Sequence, residues 1–259
     1  MLTHLRDFEV ERIQNRLGEN PACSVRISAL LKAYGTEQPF LSVWHQQYDT
    51  VLARLENSFF VYPGRKPDYE ELAFFLRFNP YFRSITGDAK TIAGIAAFFS
   101  QKYSIRHFVL MTLNSDKLAE KPYFPVEAAP NLRALYDVIC QATDADFSVG
   151  EFPSFYVDMN HRIRHGCARA YLLTRDGQSA SACLVSVESD GAGLVSGVAT
   201  VPQMRHLGYA AAVVRAACHD LLQARKLPVL ECLQELTWYY AGLGFDKIGD
   251  TATLAVEDS

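Results

Sequence analysis

The chain has 259 residues, 49% of them hydrophobic and 21% charged, with 16 Phe and 13 Tyr. That length suits one large domain or two ordinary ones, and the apolar content excludes intrinsic disorder. Twenty-five Lys and Arg against 29 Asp and Glu leave a net charge of −4, which argues against nucleic acid as a partner, since counterion release needs concentrated basic residues.

No apolar run reaches the roughly 18 residues of a membrane span. The runs at Thr91–Phe99 and Tyr209–Cys218 are short, and Arg215 interrupts the second. Arg6, Asp7, Glu9, Glu11 and Arg12 stand where a signal peptide would be apolar. The six cysteines (Cys23, Cys140, Cys167, Cys183, Cys218, Cys232) form no CxxC pair, and most sit in apolar segments. The expectation is a cytoplasmic protein with reduced, buried thiols and no membrane partner.

In chain order, Ser24–Tyr34 predicts a short helix stopped by Gly35, and Trp44, Tyr48, Val51, Leu52 and Leu55 recur at helical spacing and predict a second. Ser58–Tyr62 is an aromatic and β-branched run closed by Pro63-Gly64, a buried strand. Asp68 and Glu71 fit a capping box opening a helix to about Phe78. Phe82–Thr86 predicts a strand, Ile92, Ile95, Ala96 and Phe99 a helix face, and Arg106–Leu113 a third strand. This alternation indicates an α/β region. Asn114–Pro130, with Pro122, Pro125 and Pro130, reads as a connector, so the domain break falls near residue 128, giving units 1–128 and 129–259. No self-similar period relates the halves.

The second half begins with a helix carrying Leu132, Leu135, Tyr136, Ile139 and Cys140, then a helix over Pro153–His165. Strands follow at Cys167–Thr174, Ser179–Glu188 and Ala192–Val201, joined by turns at Arg175-Asp176-Gly177 and Asp190-Gly191. A long helix runs from about Gly208 to Arg225. After it come a strand at Pro228–Cys232, a helix at Glu235–Ala241, a strand begun by Gly244-Phe245, and a last strand at Thr251–Val256.

The informative stretch is Val201 to Ala211, where a strand ends, a turn follows and the long helix begins. Arg205, Gly208 and Ala210 make an R-x-x-G-x-A pattern at that junction. The first turn of a helix carries unpaired N–H groups and a positive dipole end, so it attracts an anion. Gly208 and Ala210 lack bulk, so a phosphate can approach the backbone. The bland alternative is an ordinary strand-to-helix turn with small residues for packing. The segment is neither a P-loop nor a dinucleotide-binding G-x-G-x-x-G.

Arg205-His206-Leu207-Gly208-Tyr209-Ala210 resembles the Q/R-x-x-G-x-G/A signature of the GNAT superfamily of acyl-CoA-dependent N-acyltransferases. The flanking Val201-Pro202-Gln203 and the downstream Tyr240-Ala241-Gly242-Leu243-Gly244-Phe245, similar to the family's Y-x-x-x-G-F, add to the likeness. The resemblance covers roughly the second half. It implies a mixed, mostly antiparallel central sheet flanked by helices over 129–259, joined to an N-terminal α/β domain that is either a degenerate GNAT-like half or an unrelated cap. No R-x-x-G-x-A occurs in that first half.

The resemblance also implies chemistry: transfer of an acetyl or other short acyl group from acyl-CoA to a primary amine by direct attack, with acetyl-CoA as co-substrate and no metal. Ala199, Thr200, Val201, Arg205, His206, Leu207, Gly208, Tyr209 and Ala210 would hold the CoA. Backbone N–H groups near Gly197–Val201 would polarise the thioester carbonyl, and Tyr240 would protonate the departing thiolate. Family members often place Asn and Ala where Leu233 and Leu236 stand here, and many carry a Glu on the strand from Gly193 to Val201, which here has no carboxylate. Deprotonating a lysine-type amine at pH 7 costs about 4.6 kcal/mol, against about 1 kcal/mol for an α-amine. Glu188 is the nearest carboxylate in sequence and a candidate base; its alternative is a strand-end residue. Ser196 could orient a water. Tyr240 could equally be a core aromatic beside Trp238 and Tyr239. His161 and His165 fit a solvated helix face better than a metal pair. Phe74, Phe75, Phe78, Tyr81 and Phe82 read as core before acceptor wall. A CoA-binding or phosphorylated-ligand module without catalysis is the rival reading.

Overall fold

Each half of the chain opens with a short strand and two helices, and its longer strands follow. The computed structural model describes residues 1–36, 38–100, 102–113, 124–142 and 150–256. The first half starts with β1 (Leu2–His4), α1 (Val10–Gly18) and α2 (Pro21–Tyr34). Asn20 caps α2, its side-chain oxygen accepting from Cys23 N at 3.3 Å, with Pro21 at the first helical position.

The helix expected around Trp44–Leu55 is instead a hairpin of β2 (Leu41–Gln46) and β3 (Thr50–Leu55). Val51 and Ala53 pack in the core with α1 and α2, while Leu52 packs in a different core on the opposite face. A strand buried on both faces loses its polar–apolar alternation, and the residual spacing imitates a helix.

The remaining elements of the half are β4 (Ser58–Tyr62), α3 (Tyr69–Phe78), β5 (Ser84–Asp88), α4 (Ala89–Ala96) and β6 (Tyr103–Leu113). Asp68 caps α3, accepting from Glu71 N at 2.9 Å. The Glu71 carboxylate does not close the expected box; it accepts from Leu2 N and from Gln46 Nε2. Phe82 is buried, but Phe74, Phe78 and Tyr81 are exposed and belong to no core.

Of the expected connector, residues 114–123 lie outside the described residues. β7 (Glu127–Ala128) falls just before the expected break at 128 but pairs with β8 (Arg169–Arg175) of the second half, which also holds α5 (Leu132–Ala142), α6 (Phe152–Arg164), β9 (Gln178–Glu188), β10 (Ala192–Thr200), α7 (Tyr209–Gln223), β11 (Leu227–Cys232), α8 (Thr237–Gly242) and β12 (Phe245–Val256). The two strands expected at the end are one, with a register shift between Lys247 and Gly249. Four cysteines are buried, whereas Cys23 and Cys140 are exposed, and no disulfide links any of them.

The twelve strands of the described residues join one mixed, mostly antiparallel sheet in the order β1-β2-β3-β4-β5-β12-β6-β11-β10-β9-β8-β7. The parallel pairs are β4–β5 and β10–β11. The run β2-β3-β4-α3-β5-α4-β6 recurs as β8-β9-β10-α7-β11-α8-β12, a repeat of topology that the sequence does not display. The final strands are exchanged. β12 lies between β5 and β6, and β6 runs beside β11 from Val109↔Cys232 to Thr112↔Val229. Helices α1, α2, α5 and α6 cover one face, and α3, α4, α7 and α8 the other. No described helix is long and apolar enough to cross a membrane.

Candidate functional site

The site begins where two parallel strands part. β10 and β11 pair from Ala192↔Leu227 to Val195↔Leu230 and no further, although β10 continues to Thr200 and β11 to Cys232. On its other edge β10 carries an extra residue: Ser196 faces Leu184, and Ala199 faces Ala182. Such a bulge interrupts the ladder and bends the strand. Gly197 sits in it at φ 55°, and a Cβ there would come within 3.2 Å of Leu184 Cδ1. Backbone at Gly197 and Val198 thus borders the opening gap. Further along, the N–H of Val201 donates to Ala180 O at 3.0 Å, and the Ser181 hydroxyl bonds to Ala199 O at 2.8 Å and to the Thr200 hydroxyl at 2.9 Å. Ala199, Thr200 and Val201 are thus tied into the gap's wall by these bonds.

Above the gap, a single 3-10 turn at Pro202–Met204 leads to Arg205. Its guanidinium donates to Thr200 O at 3.3 Å and to Ala142 O at 3.0 Å, bracing the loop against the end of α5. His206 and Gly208 have φ of 65° and 83°, and Gly208 is the N-cap of α7 with no side-chain cap. The first intrahelical bond runs from Ala212 N to Gly208 O, so the N–H groups of Tyr209 and Ala210 have no acceptor in the helix. His206, Leu207 and Gly208 are exposed and Ala210 is half-buried. Tyr209 is buried edge-on against Phe124. An added Cβ on Gly208 would meet nothing closer than 3.8 Å. The loop presents bare backbone donors at the positive end of a 15-residue helix, an arrangement suited to a phosphate.

The equivalent place in the first half is filled. There Asp68 puts its own carboxylate on the first turn of α3, taking the position an anion would need.

Tyr240 lies on α8, half-buried against Phe245 and the core that contains Cys183 and Cys232. Burial, and then the neighbouring thiols, push its pKa well above the usual phenol value, so it remains protonated at neutral pH. Its neighbour Tyr239 was not singled out by any motif. The Tyr239 hydroxyl and Arg215 Nε, from α7, are buried atoms without hydrogen-bond partners. Burial raises the Tyr239 pKa and the Arg215 charge opposes this.

Ser196 is half-buried at the bulge, on the face that carries α5. Glu188 is elsewhere: it pairs opposite Gly193, on the face carrying α7, and is 2% exposed. Both of its oxygens accept from Arg169, each at 2.7 Å, and Oε1 also accepts from Lys226 at 2.6 Å. Burial raises its pKa, but the bonds from Arg169 and Lys226 outweigh this and hold it below the usual carboxylate value. So bound, Glu188 ties β8 and β9 to the α7–β11 junction, which fits the strand-end alternative better than the candidate base. His161 and His165 stack on each other at 4.1 Å and bond to the carbonyls of Ala33 and His161, so they pack α6 onto α2.

Known proteins place this architecture. No family model matches the chain, and no curated protein matches it by sequence. Solved structures do match. A GCN5-related N-acetyltransferase from Kribbella flavida is 16% identical, over 92% of this chain and 95% of its own, with a TM-score of 0.62. A tandem GNAT protein from the clavulanic acid biosynthesis pathway is 14% identical, over 100% and 99%, with a TM-score of 0.61. A Drosophila protein is 11% identical, over 99% and 98%, with a TM-score of 0.71. The chain has the GNAT fold. It carries that fold as two GNAT-like halves, with the parted strands and the uncapped helix both in the second.

Proposed function

We propose that the protein is an N-acyltransferase that moves an acetyl or other short acyl group from acyl-CoA to a primary amine, with the site in the unit 129–259 and the unit 1–128 as its helper. The observation that carries this reading is the uncapped start of α7 directly above the gap between β10 and β11. The backbone from His206 to Ala210 would hold the pyrophosphate, with Arg205 bracing the loop. The pantetheine arm would descend past Ala199–Val201 into the gap. Donors at the Gly197 bulge would stabilise the charge that develops on the carbonyl oxygen. The amine nitrogen attacks the carbonyl carbon, its extra proton passes to solvent, and the C–S bond breaks. The thiolate takes a proton from Tyr240, whose phenol is refilled from solvent.

Acetyl-CoA should raise the melting temperature, because a ligand that binds only the native state adds about 2.7 kcal/mol at a hundredfold excess over Kd. Gly208→Glu should remove that shift by placing a carboxylate on the phosphate position. Absence of any shift with acetyl-CoA and with longer acyl-CoAs sinks the proposal. Tyr240→Phe should keep the shift and lower the turnover rate about a hundredfold, in the range of general acid catalysis. The commitment of Glu188 favours a second reading, a CoA-binding module without turnover. Binding with no CoA release across a broad amine panel would select it.

A further inference from the structure

β11 carries a carboxylate at the edge of the gap. Pairing between β10 and β11 ends at Val195↔Leu230, so Ser196 and Glu231 are the first positions at which the two strands no longer meet. On its other side Glu231 is fixed by its pairing with Leu110 of β6. Side chains directly opposite in a ladder share a face, and Leu110 packs in the core beneath α2. Glu231 therefore stands on the face that carries α2 and α5, as Ser196 does. Tyr240 packs on the opposite face, against the core that holds Val195 and Cys232. With CoA held at α7, on the Tyr240 side of the sheet, an amine has to enter from the other side, and its proton has to leave there.

Glu231 is held but not enclosed. Arg26 of α2 forks onto it with bonds of 2.9 Å and 2.7 Å. An ionised carboxylate has about four lone-pair sites, and the fork uses two of them. Among the described residues no other side chain donates to it. Its side chain is 12% exposed, against 3% for that of Glu188. Glu188 takes three bonds from two cations and lies opposite Gly193, at the other end of β10 from the bulge. The two carboxylates thus differ in both respects that matter for a base, free lone pairs and nearness to the gap. A bidentate guanidinium also fixes the plane of its carboxylate, so the open lone pairs of Glu231 have a set direction.

We propose that Glu231 is the proton acceptor of the transfer, with Arg26 of the first half as its positioning residue. The proposal rests on the acyl-transfer reading. The neutral amine adds to the thioester carbonyl, its lone pair forming the C–N bond. The extra proton on that nitrogen passes to the Glu231 carboxylate and from there to solvent. The C–S bond breaks with its electron pair on sulfur, and the thiolate takes the proton of Tyr240. The helper half thereby takes part in the chemistry, since its cation aims a base that belongs to the other half.

The test removes the carboxylate and returns it as a small ion. Glu231→Ala leaves a space beside a vacated guanidinium. Formate and nitrate are both planar anions that fit such a fork, but formate is a base and nitrate is not. CoA release is measured with saturating acetyl-CoA and the amine that the wild type turns over fastest. Glu231→Ala should lower kcat about a hundredfold or more, the range of general base catalysis, and should keep the rise in melting temperature with acetyl-CoA. Formate should restore the rate in a saturable way and nitrate should not. Rescue by both anions marks a charge that only organises the site, and rescue by neither marks a structural role. Either result overturns the proposal, as does an unchanged kcat. Arg26→Lys keeps the charge without the fork, and should lower kcat while KM for acetyl-CoA stays the same. If Glu231→Ala does not fold, the double variant Arg26→Met, Glu231→Met replaces the whole pair by apolar groups, an exchange that folded proteins tolerate. It should bind acetyl-CoA, show the same loss of kcat and not respond to formate; wild-type turnover in it overturns the proposal. A wild type that binds acetyl-CoA but releases no CoA with any amine removes the acyl-transfer reading and this base with it, whereas turnover indifferent to Glu231 removes the base alone.

Discussion

Glu188 and Asp88 are carboxylates in opposite circumstances. Glu188 is enclosed by Arg169 and Lys226, whereas Asp88 keeps one buried oxygen bare. Breaking a buried pair from one side leaves an uncompensated charge, which costs about 3–5 kcal/mol. Removing Arg169 and Lys226 together leaves Glu188 without a counter-charge, so the double variant Arg169→Met, Lys226→Met should lower the urea midpoint far more than either single variant, and far more than the loss of an exposed pair such as Arg133–Asp137. The pH dependence follows from the direction of the shifts. Glu188 is held below its usual 4.5, so its contribution to stability is complete above that value and is lost as pH falls through the lowered native one. His45 is buried, and burial lowers its pKa from the usual 6.5 against the opposing pull of Glu9. Protonation of His45 therefore favours the unfolded chain. Unfolding free energy measured across pH should begin to decline below about pH 6.5 and fall further below about pH 4.5. A flat profile between pH 7 and pH 4 contradicts both assignments.

Among the elements, α7 and the turn before it decide whether a phosphate can sit. Gly208 at φ 83° has the left-handed conformation that a side chain resists, so Gly208→Ala should cost about 1–2 kcal/mol of stability, read as a lower melting temperature even without ligand. This element was legible from sequence because everything that defines it is local: a strand end, a turn and a helix start within one short segment, with small residues where backbone must be bare. The β2–β3 hairpin was not, since burial on both faces erased its alternation. The single strand β12 was broken into two by its polar stretch from Asp246 to Asp250, where the register shift falls. The Arg26–Glu231 pair had no sequence signal at all. The two residues lie in different halves of the chain and meet only because α2 lies across both. Glu188 misled for the related reason that its partners Arg169 and Lys226 come from separate elements.

At the scale of the whole molecule, the halves are bound together twice. α2 lies across both, with Arg26 on Glu231, Lys32 on Asp190 at 2.6 Å, and the Tyr34 hydroxyl donating to Asp158. The exchanged strands then make each half an incomplete sheet without the other. Thermal unfolding should show one cooperative transition, with calorimetric and van't Hoff enthalpies that agree; two resolved transitions would contradict the exchange. A chain divided after residue 123, which leaves Phe124 and β7 with the second half, should yield pieces that are insoluble when made apart and soluble when made together, because β6 and β12 each leave an open sheet edge that invites aggregation.

The exchange also sets an order of events during synthesis. Residues 1–113 can build their helices and the β2–β3–β4 meander early, but β5 has no neighbour on its inner side until residues 245–256 emerge. Pairings of such long sequence separation form slowly. For most of translation the nascent chain displays unpaired edges at β5 and β6, a state prone to aggregation. Its yield in a cell should therefore depend on chaperones that shelter it until the last strand is made.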